Sequence, residues 1–507
     1  MKALAAMAAL LLTGSAQSGF VPLAHPVFLV PVVWVPAFAV FARIDGMRAL
    51  LAGWLVGATA VALGFSWIAD TVSRFSSLSA PAAAAVLAAF SLASGLYAGL
   101  FAWGFGRVRR AAGRGWPLGV ALWFTACEFA YPQIFPYAQG HAWYQLPQVF
   151  LVSALTGISG VTFLAIWCNA SVLQALEVLR DPGGDRRACA TNAALLAVAI
   201  AGTLAWSAHR EAVIERAEAE VAPLRVALVQ PNYDVERRRA MRRMEPDIFA
   251  RDLVSLSSEA LARDGDIDVF IWPEGALAGD PREPRNTAVR EFARAAGVEI
   301  WTGANVRPKG TGRRKTHNSA YRIGPDGAVD ARYDKTLLIP FGEYMPFEGA
   351  IPALRRIRGP GDFARGEGIA VYRDGPARFA FLICYEAIQS AYVRGGMDRK
   401  PELLVNVTFD AWFGDTAEPV QHLQLAAVQS AHYGVPLLRS TTTGISAFVD
   451  ARGVIRDQTR VFTREVLVRD VKPVHVPSPY GRFGDWFGWG CVAAGAGLLL
   501  RSRRRGD

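Results

Sequence analysis

The chain has 507 residues, of which 52% are hydrophobic and only 19% are charged. With a mean hydropathy of +0.21, it is too apolar for an ordinary soluble enzyme, and its length allows two or three domains. The net charge of +10 comes from arginines in short clusters between apolar runs, not from one basic domain. This distribution disfavours nucleic-acid binding and favours a membrane protein that carries a polar domain.

Apolar runs begin at the N-terminus. Residues 1–20 have the composition of a signal peptide, but the topology favours a short first helix that is retained. Most of the following runs reach the about 20 residues that a spanning helix needs. The sequence therefore predicts eight transmembrane helices, which are the first helix and the runs at about 26–42, 50–69, 80–106, 116–131, 148–175, 190–208 and 484–500.

The loops between these runs alternate in charge. Arginines lie in the second, fourth and sixth loops and in the C-terminal tail, whereas the loops 19–25 and 132–147 have none and the loop 68–79 has only Arg74. Basic residues mark the cytoplasmic side of a membrane. Both termini are therefore predicted to be cytoplasmic, and residues 209–483 to lie outside, in a periplasm or its equivalent.

Two features on the predicted outer side have two interpretations each. The loop 132–147 is aromatic and uncharged, which is typical of an interfacial belt but also suits a lipid entry site. Glu128 lies at the outer end of the fifth helix, where a carboxylate either has a function or simply reaches water.

The polar segment alternates between short apolar strands and helical stretches. Strands are predicted at 224–230, 267–272, 298–301, 318–323, 328–333, 378–383, 402–407, 436–440 and 446–449, and helices at 246–263, 285–296 and 420–433. This order predicts an α/β sandwich. The predicted domains are a seven-helix transmembrane domain at 1–208, a catalytic domain at 220–475 and a last transmembrane helix at 484–500.

Three reactive side chains each end a strand-like run in this segment. Cys384 follows Phe379–Ile383, Glu274 follows Phe270-Ile-Trp-Pro, and Lys335 follows Tyr333-Asp. Each alone is most simply a core cysteine, a turn residue or a surface lysine. Together they suit acyl transfer, with Cys384 as nucleophile, Glu274 as general base and Lys335 as the cation for an oxyanion.

The other four cysteines lie in or beside apolar runs, and no CxxC or Cys/His cluster occurs. Neither a disulfide framework nor a metal site is therefore predicted.

The sequence resembles the nitrilase superfamily, with its Glu-Lys-Cys triad, and more narrowly the apolipoprotein N-acyltransferases of bacterial inner membranes. The resemblance rests on the following segments: Trp272-Pro-Glu274, Asp334-Lys335, 340–346, Ile383-Cys-Tyr-Glu386, 405–414, Gln421-His422 and 157–164.

The resemblance implies a nitrilase-like sandwich and a ping-pong reaction without a cofactor. The acyl donor would be a phospholipid such as phosphatidylethanolamine, and the acceptor the α-amine of a diacylglyceryl-cysteine in an apolipoprotein. Glu343 would assist Glu274 and Lys335, while Tyr385 and Glu386 would shape the pocket beside the thiol. Two alternatives are a membrane-tethered amidase that uses water as acceptor, and an inactive membrane-anchored scaffold.

The sequence also departs from the family's pattern. The stretch 237–244 is rich in arginine and lacks the family's tryptophan, and the segments Gln429–His432 and Arg439–Gly444 differ from the family's motifs. These differences lie at other positions and leave the triad residues unchanged. They therefore bear on the substrates and not on the reaction type.

Overall fold

We analysed a computed structural model of the chain. It describes residues 2–504 except 19–26, 77, 182, 236–246, 308–314, 347–349, 351–362 and 374. The chain divides into two compact units. A helical unit comprises residues 1–69, 80–211 and 478–507, and an α/β unit comprises residues 70–79 and 212–477.

The first ten α-helices of the chain are α1 Lys2–Ser18, α2 Val35–Phe41, α3 Gly46–Gly64, α4 Trp67–Phe75, α5 Ala80–Ala112, α6 Trp116–Ala130, α7 Pro147–Phe150, α8 Ser153–Thr156, α9 Ile158–Arg180 and α10 Arg186–Ala219. Within the described residues, four segments are long and apolar enough to cross a membrane: Gly46–Gly64, Ala80–Ala130, Ile158–Arg180 and Arg186–Ala219. The segment Ala80–Ala130 contains both α5 and α6.

Close packing between α3 and α5 depends on glycine. A Cβ atom on Gly57 would lie 2.3 Å from the carbonyl oxygen of Gly95, and one on Gly53 would lie 2.3 Å from that of Ala98. Small residues spaced four apart allow the backbones of two apolar helices to approach this closely. Beside this contact, Phe101 packs against Phe105 and Phe124 with ring centroids 5.8 and 4.9 Å apart.

Two of the predicted transmembrane runs are not single helices. In the described part of the run 26–42, only α2 and a 3-10 turn at Val27–Leu29 are helical. Pro31 and Pro36 lie within this run, and proline removes a backbone donor and clashes with the preceding turn. The run 148–175 is interrupted at Gly157, whose φ of +68° ends one helix and precedes α9.

The α/β unit contains the strands β1 Leu224–Gln230, β2 Val269–Ile271, β3 Leu277–Ala278, β4 Glu299–Val306, β5 Thr316–Ile323, β6 Val329–Asp334, β7 Phe363–Ala364, β8 Val371–Tyr372, β9 Phe379–Ile383, β10 Leu403–Thr408, β11 Leu437–Thr441, β12 Ala447–Val449, β13 Ile455–Gln458 and β14 Glu465–Val471. Its α-helices within the described residues are α11 Ile248–Asp264, α12 Thr287–Ala296, α13 Ser390–Arg394 and α14 Glu418–Tyr433. After the unit come α15 Pro479–Phe483 and α16 Trp486–Arg504 of the helical unit.

The strands form two sheets. The first has the order β14-β1-β2-β4-β5-β6, with β3 beside β4 and β7 beside β5, and the second has the order β13-β12-β11-β10-β9-β8. Because β9, β10 and β11 are parallel, their carboxyl ends meet at one edge of the second sheet. The α/β sandwich predicted for the polar segment is therefore confirmed.

The core of the α/β unit lies between the sheets. Trp301 of β4 stacks on Phe379 of β9 with ring centroids 4.2 Å apart. Ile300, whose side chain points to the opposite face, packs with residues of α11 and α12. This alternation follows from the two-residue period of a strand, and it places helices on the outer face of the first sheet.

The segment Asp70–Ser79 lies between two helices of the helical unit in sequence, yet it packs with the α/β unit. The ring of Phe75 meets that of Trp412 edge to face, with centroids 4.8 Å apart. Arg74 lies so close to Gly414 that a Cβ atom there would be 2.6 Å from its Nη1 atom.

Candidate active site

Cys384 lies directly after β9, where the strand gives way to a 3-10 turn at Cys384–Ile388. Its φ of +51° falls in the left-handed region, which is unusual for a residue with a side chain. The five residues of β9 are buried, whereas Cys384 is half-buried. The turn thus carries the thiol out of the core at the carboxyl edge of the second sheet.

Lys335 follows β6 and is almost fully buried, with an exposure of 1%. Its Nζ atom donates to Oε1 of Glu343 at 2.8 Å, and Oε2 of Glu343 accepts from the backbone N–H of Ile339 at 2.9 Å. A buried ammonium requires such a partner, because an unpaired charge away from water is costly. Glu343 therefore fixes Lys335 in its charged form.

Glu274 follows β2 and is held by Asn318 of β5. The side-chain amide of Asn318 donates to Oε1 of Glu274 at 2.6 Å, while the backbone carbonyl of Asn318 accepts from the backbone N–H of Lys335 at 2.8 Å. Gly303 of β4 lets the turn approach, since a Cβ atom there would lie 2.6 Å from Cα of Glu274. Asn318 thus joins the predicted base to the predicted cation.

Glu386 is fully buried and connects the two strand ends. Its Oε1 atom accepts from the backbone N–H groups of Thr336 and Leu337 at 2.6 and 3.0 Å, and its Oε2 atom accepts from that of Ile383 at 2.8 Å. These bonds hold the residues after Lys335 beside the residue before Cys384. Glu386 therefore positions the two reactive groups, while Tyr385 lies half-buried beside the thiol.

The reactive groups lie within electrostatic range of one another. Burial raises the pKa of the Cys384 thiol, the charge of Lys335 lowers it, and the carboxylates of Glu274, Asp410 and Glu343 raise it further. Burial lowers the pKa of Lys335, but Glu343, Cys384 and Glu274 together raise it above its usual range. These shifts favour a neutral thiol and a charged ammonium, an arrangement in which attack by the thiol needs a base to accept its proton.

A second buried cluster lies beyond the end of β10. Asp410 accepts from Nη2 of Arg439 at 2.7 Å and from the hydroxyl of Thr408 at 3.0 Å, and its Oδ1 lies 3.2 Å from Nδ1 of His422. Glu418 lies 3.4 Å from the same nitrogen. Burial raises the pKa of Asp410, but the charges of Arg439 and His422 lower it below its usual range.

Asp410, Glu418 and His422 bring three potential ligand atoms within 4.8 Å of one another. The guanidinium of Arg439 already neutralises the carboxylate of Asp410, however, so this cluster does not need a metal ion to balance that charge. We therefore assign no metal ion to it.

The structure thus brings Glu274, Lys335, Glu343 and Cys384 together and places Glu386 behind them. The sequence analysis predicted no role for Asn318 or for the pair of Asp410 and Arg439. Of the segments that depart from the family's pattern, Gln429 and His432 are buried in α14, Arg439 belongs to the second cluster, and the stretch 237–244 lies outside the described residues.

A buried ammonium, a carboxylate and a strand-end thiol in a two-sheet α/β unit define a thiol enzyme of the carbon–nitrogen hydrolase class. The carbon–nitrogen hydrolase family matches residues 225–477, and the apolipoprotein N-acyltransferase N-terminal domain matches residues 8–171.

Relatives match over most of the chain. Apolipoprotein N-acyltransferase of Geobacter metallireducens is 31% identical over 94% of this chain and 91% of its own. The proteins of that name from Azotobacter vinelandii and Pseudomonas syringae are 27% and 29% identical, over 90% and 88% of this chain and 88% of each of theirs. The chain belongs to the apolipoprotein N-acyltransferase family, and its resemblance to that family is confirmed.

Proposed function

We propose that this chain transfers an acyl group from a phospholipid to the N-terminal amine of a diacylglyceryl-cysteine in apolipoproteins. The observation that carries the proposal is the buried Lys335–Glu343 pair within electrostatic range of a strand-end thiol. The helical unit, with its four candidate membrane spans, supports lipid substrates.

In the first half-reaction, Sγ of Cys384 attacks the carbonyl carbon of the sn-1 ester while Glu274 takes the thiol proton. The ammonium of Lys335 stabilises the oxyanion that develops on the carbonyl oxygen. The bond to the glycerol oxygen then breaks, and Glu274 returns the proton to that oxygen. A lysophospholipid leaves, and the acyl group remains on Cys384 as a thioester.

In the second half-reaction, the amine of the apolipoprotein attacks the thioester carbon and Glu274 accepts the amine proton. The carbon–sulfur bond breaks, the new amide leaves, and the proton passes back to the sulfur of Cys384. Glu343 keeps Lys335 charged through both steps, and Asn318 and Glu386 keep Glu274, Lys335 and Cys384 in place.

The proposal includes the finer topology. Eight transmembrane helices, cytoplasmic termini and a periplasmic catalytic domain are supported by the alternation of arginine-rich and arginine-poor loops. The membrane is then the inner membrane of a bacterium, and a phosphatidylethanolamine-like lipid is the donor.

The amidase alternative uses the same acyl-enzyme with water as the acceptor. The family membership over both units favours the transferase, because a soluble amide substrate would need no helical unit of this size.

Mass spectrometry of the intact protein tests the proposal. After incubation with phospholipid, we expect a fatty-acyl adduct on Cys384 that persists in buffer and disappears when a diacylated lipopeptide is added. Clearance of the adduct by water alone would select the amidase. The Cys384→Ala variant is the control, and acylation of the lipopeptide by this variant would overturn the mechanism.

A further inference from the structure

The helical unit contains a cavity of about 40 Å³ between α1, α3, α5 and the segment 133–139. A buried water needs about 10–15 Å³ of such space, so the cavity has room for about three waters or one group of similar size. Its lining residues all belong to the helical unit.

Three buried polar atoms on residues that line the cavity have no hydrogen-bond partner in the described part of the chain. They are Nε2 of Gln17, Nε2 of Gln139 and the hydroxyl oxygen of Tyr137. Gln17 and Gln139 are 5% and 2% exposed. An unsatisfied buried donor costs about 1–3 kcal/mol, so three at one cavity require an explanation.

The cavity offers mainly donors. The carboxamide nitrogens of Gln17 and Gln139 can only donate, and the hydroxyl of Tyr137 can donate. The carboxamide oxygen of Gln139 is occupied, because it accepts from Nε1 of Trp34 at 3.0 Å. The complementary ligand therefore presents hydrogen-bond acceptors.

The rest of the lining is uncharged, and it is apolar except for Ser94, Tyr97 and Gln133. The ring centroids of Phe65 and Phe135 are 5.8 Å apart, and those of Phe90 and Phe135 are 6.1 Å apart. None of the residues that line the cavity carries a charge. A phosphate, carboxylate or ammonium would lack a counter-charge here, and a hydrocarbon alone would leave the donors unpaired.

We propose that this cavity binds the ester linkage of a glycerolipid, with Gln17, Gln139 and Tyr137 donating to its oxygens. An ester is neutral, carries only acceptors and is attached to an apolar chain that suits the phenylalanine walls. The assignment of this lipid as the acyl donor rests on the proposed function.

The test compares a diester phosphatidylcholine with its diether analogue, which has the same headgroup and chains but lacks the carbonyl oxygens. Each lipid is titrated into the purified full chain in detergent, in the Cys384→Ala background so that no acyl group is transferred. The midpoint of thermal unfolding reports binding. We expect half-saturation by the diester lipid at a concentration about tenfold lower than by the diether lipid, because the ether loses the hydrogen bonds to the carbonyls.

The double substitution Gln17→Met and Tyr137→Phe removes two of the three donors at nearly constant volume. It should remove most of the difference between the lipids, because only Gln139 is left to donate. Tyr137→Phe alone removes one oxygen atom and keeps the test valid if the double variant does not fold. Tyr131→Phe is the matched control. Its hydroxyl donates to the carbonyl of Ala93 at 2.5 Å and does not line the cavity, so this variant should keep the preference.

Equal half-saturation by the two lipids would overturn the proposal. A preference that the double substitution leaves unchanged would overturn it too, because it would place the ester elsewhere. Formation of the acyl adduct on Cys384 in the unsubstituted chain is measured separately. If the acyl adduct forms but the diester lipid is not preferred over the diether lipid, only the assignment of the cavity is wrong. If the diester lipid is preferred but no adduct forms, only the proposed function is wrong.

Discussion

The buried pairs Lys335–Glu343 and Arg439–Asp410 of the α/β unit differ in what surrounds them. Among the described residues, Lys335 has one carboxylate partner, Glu343, and it lies within electrostatic range of Cys384 and Glu274. Arg439 is fully buried and donates to Asp410, to the side-chain oxygen of Asn406 and to the carbonyl of Ile445. Within the described residues, the ammonium of Lys335 donates to Glu343 alone and lies within electrostatic range of a thiol, whereas Arg439 uses its donors to hold three chain segments together. The comparison predicts that one pair serves the reaction and the other serves stability.

The largest effect should follow from Lys335→Met. This substitution removes the cation that stabilises the oxyanion, and loss of one such donor costs about 10²–10³ in rate. We expect the rate of adduct formation on Cys384, followed by mass spectrometry, to fall by about that factor. Lys315→Met, at an exposed lysine of the same unit, is the control and should leave the rate unchanged. If the Lys335 variant kept the full rate, the prediction that the Lys335 pair serves the reaction and the Arg439 pair serves stability would be wrong.

Arg439→Met should act on stability. Removing one partner of a buried pair leaves an uncompensated charge and costs about 3–5 kcal/mol of unfolding free energy. Denaturant unfolding followed by the fluorescence of the α/β unit measures this loss. The matched control is Arg456→Met, since Arg456 is 45% exposed beside Asp450 and an exposed pair contributes about 1 kcal/mol or less. Equal losses for the two variants would contradict the structural role of Arg439.

The reactivity of the Cys384 thiol should increase as the pH rises. Because burial raises the pKa of the thiol, the neutral form dominates at pH 7 and the reactive thiolate increases as the pH rises. We expect iodoacetamide to label Cys384 at least about tenfold more slowly than free cysteine at pH 7, with no plateau up to pH 9. A plateau near neutral pH would mean that Lys335 alone ionises the thiol and that no base is needed.

The smallest of these effects should come from Asn318→Ala. The variant loses the 2.6 Å hydrogen bond to Glu274, and a hydrogen bond to a charged group contributes about 1.5–3 kcal/mol. We expect kcat to fall about tenfold or somewhat more while KM stays within twofold, because Asn318 orients the base and does not bind substrate. Asn286→Ala, which removes an amide that donates to the backbone of Ala278 and Asp280, serves as the control. A change in KM alone would show that Asn318 contacts the substrate instead.

The sequence predicted the strand ends of the α/β unit well because each reactive residue follows an apolar run. The predicted strand 378–383 and the observed strand Phe379–Ile383 differ by one residue. The roles of Asn318 and Arg439 could not be predicted from the sequence, because both residues lie within strands. Only tertiary contacts distinguish them from ordinary strand residues. Strand β14 was not predicted, because its segment Glu465-Val-Leu-Val-Arg-Asp-Val471 has only a short apolar run and no regular alternation.

Hydropathy was a weaker guide in the helical unit. It measures how apolar a run is, so it does not detect the prolines that interrupt the run 26–42 or the positive φ of Gly157. It also gave no sign of the cavity, because Gln17, Tyr137 and Gln139 lie on separate segments that meet only in the fold.

The contact between Phe75 and Trp412 has a consequence for biosynthesis. The segment Asp70–Ser79 leaves the ribosome long before the strands that it packs against, and the α/β unit is incomplete without it. A fragment cut at residues 212 and 477 would therefore expose the surface that Phe75 covers. In every round of synthesis, residues 1–211 of the helical unit are therefore made before the strands of the α/β unit, whereas α15 and α16 follow them.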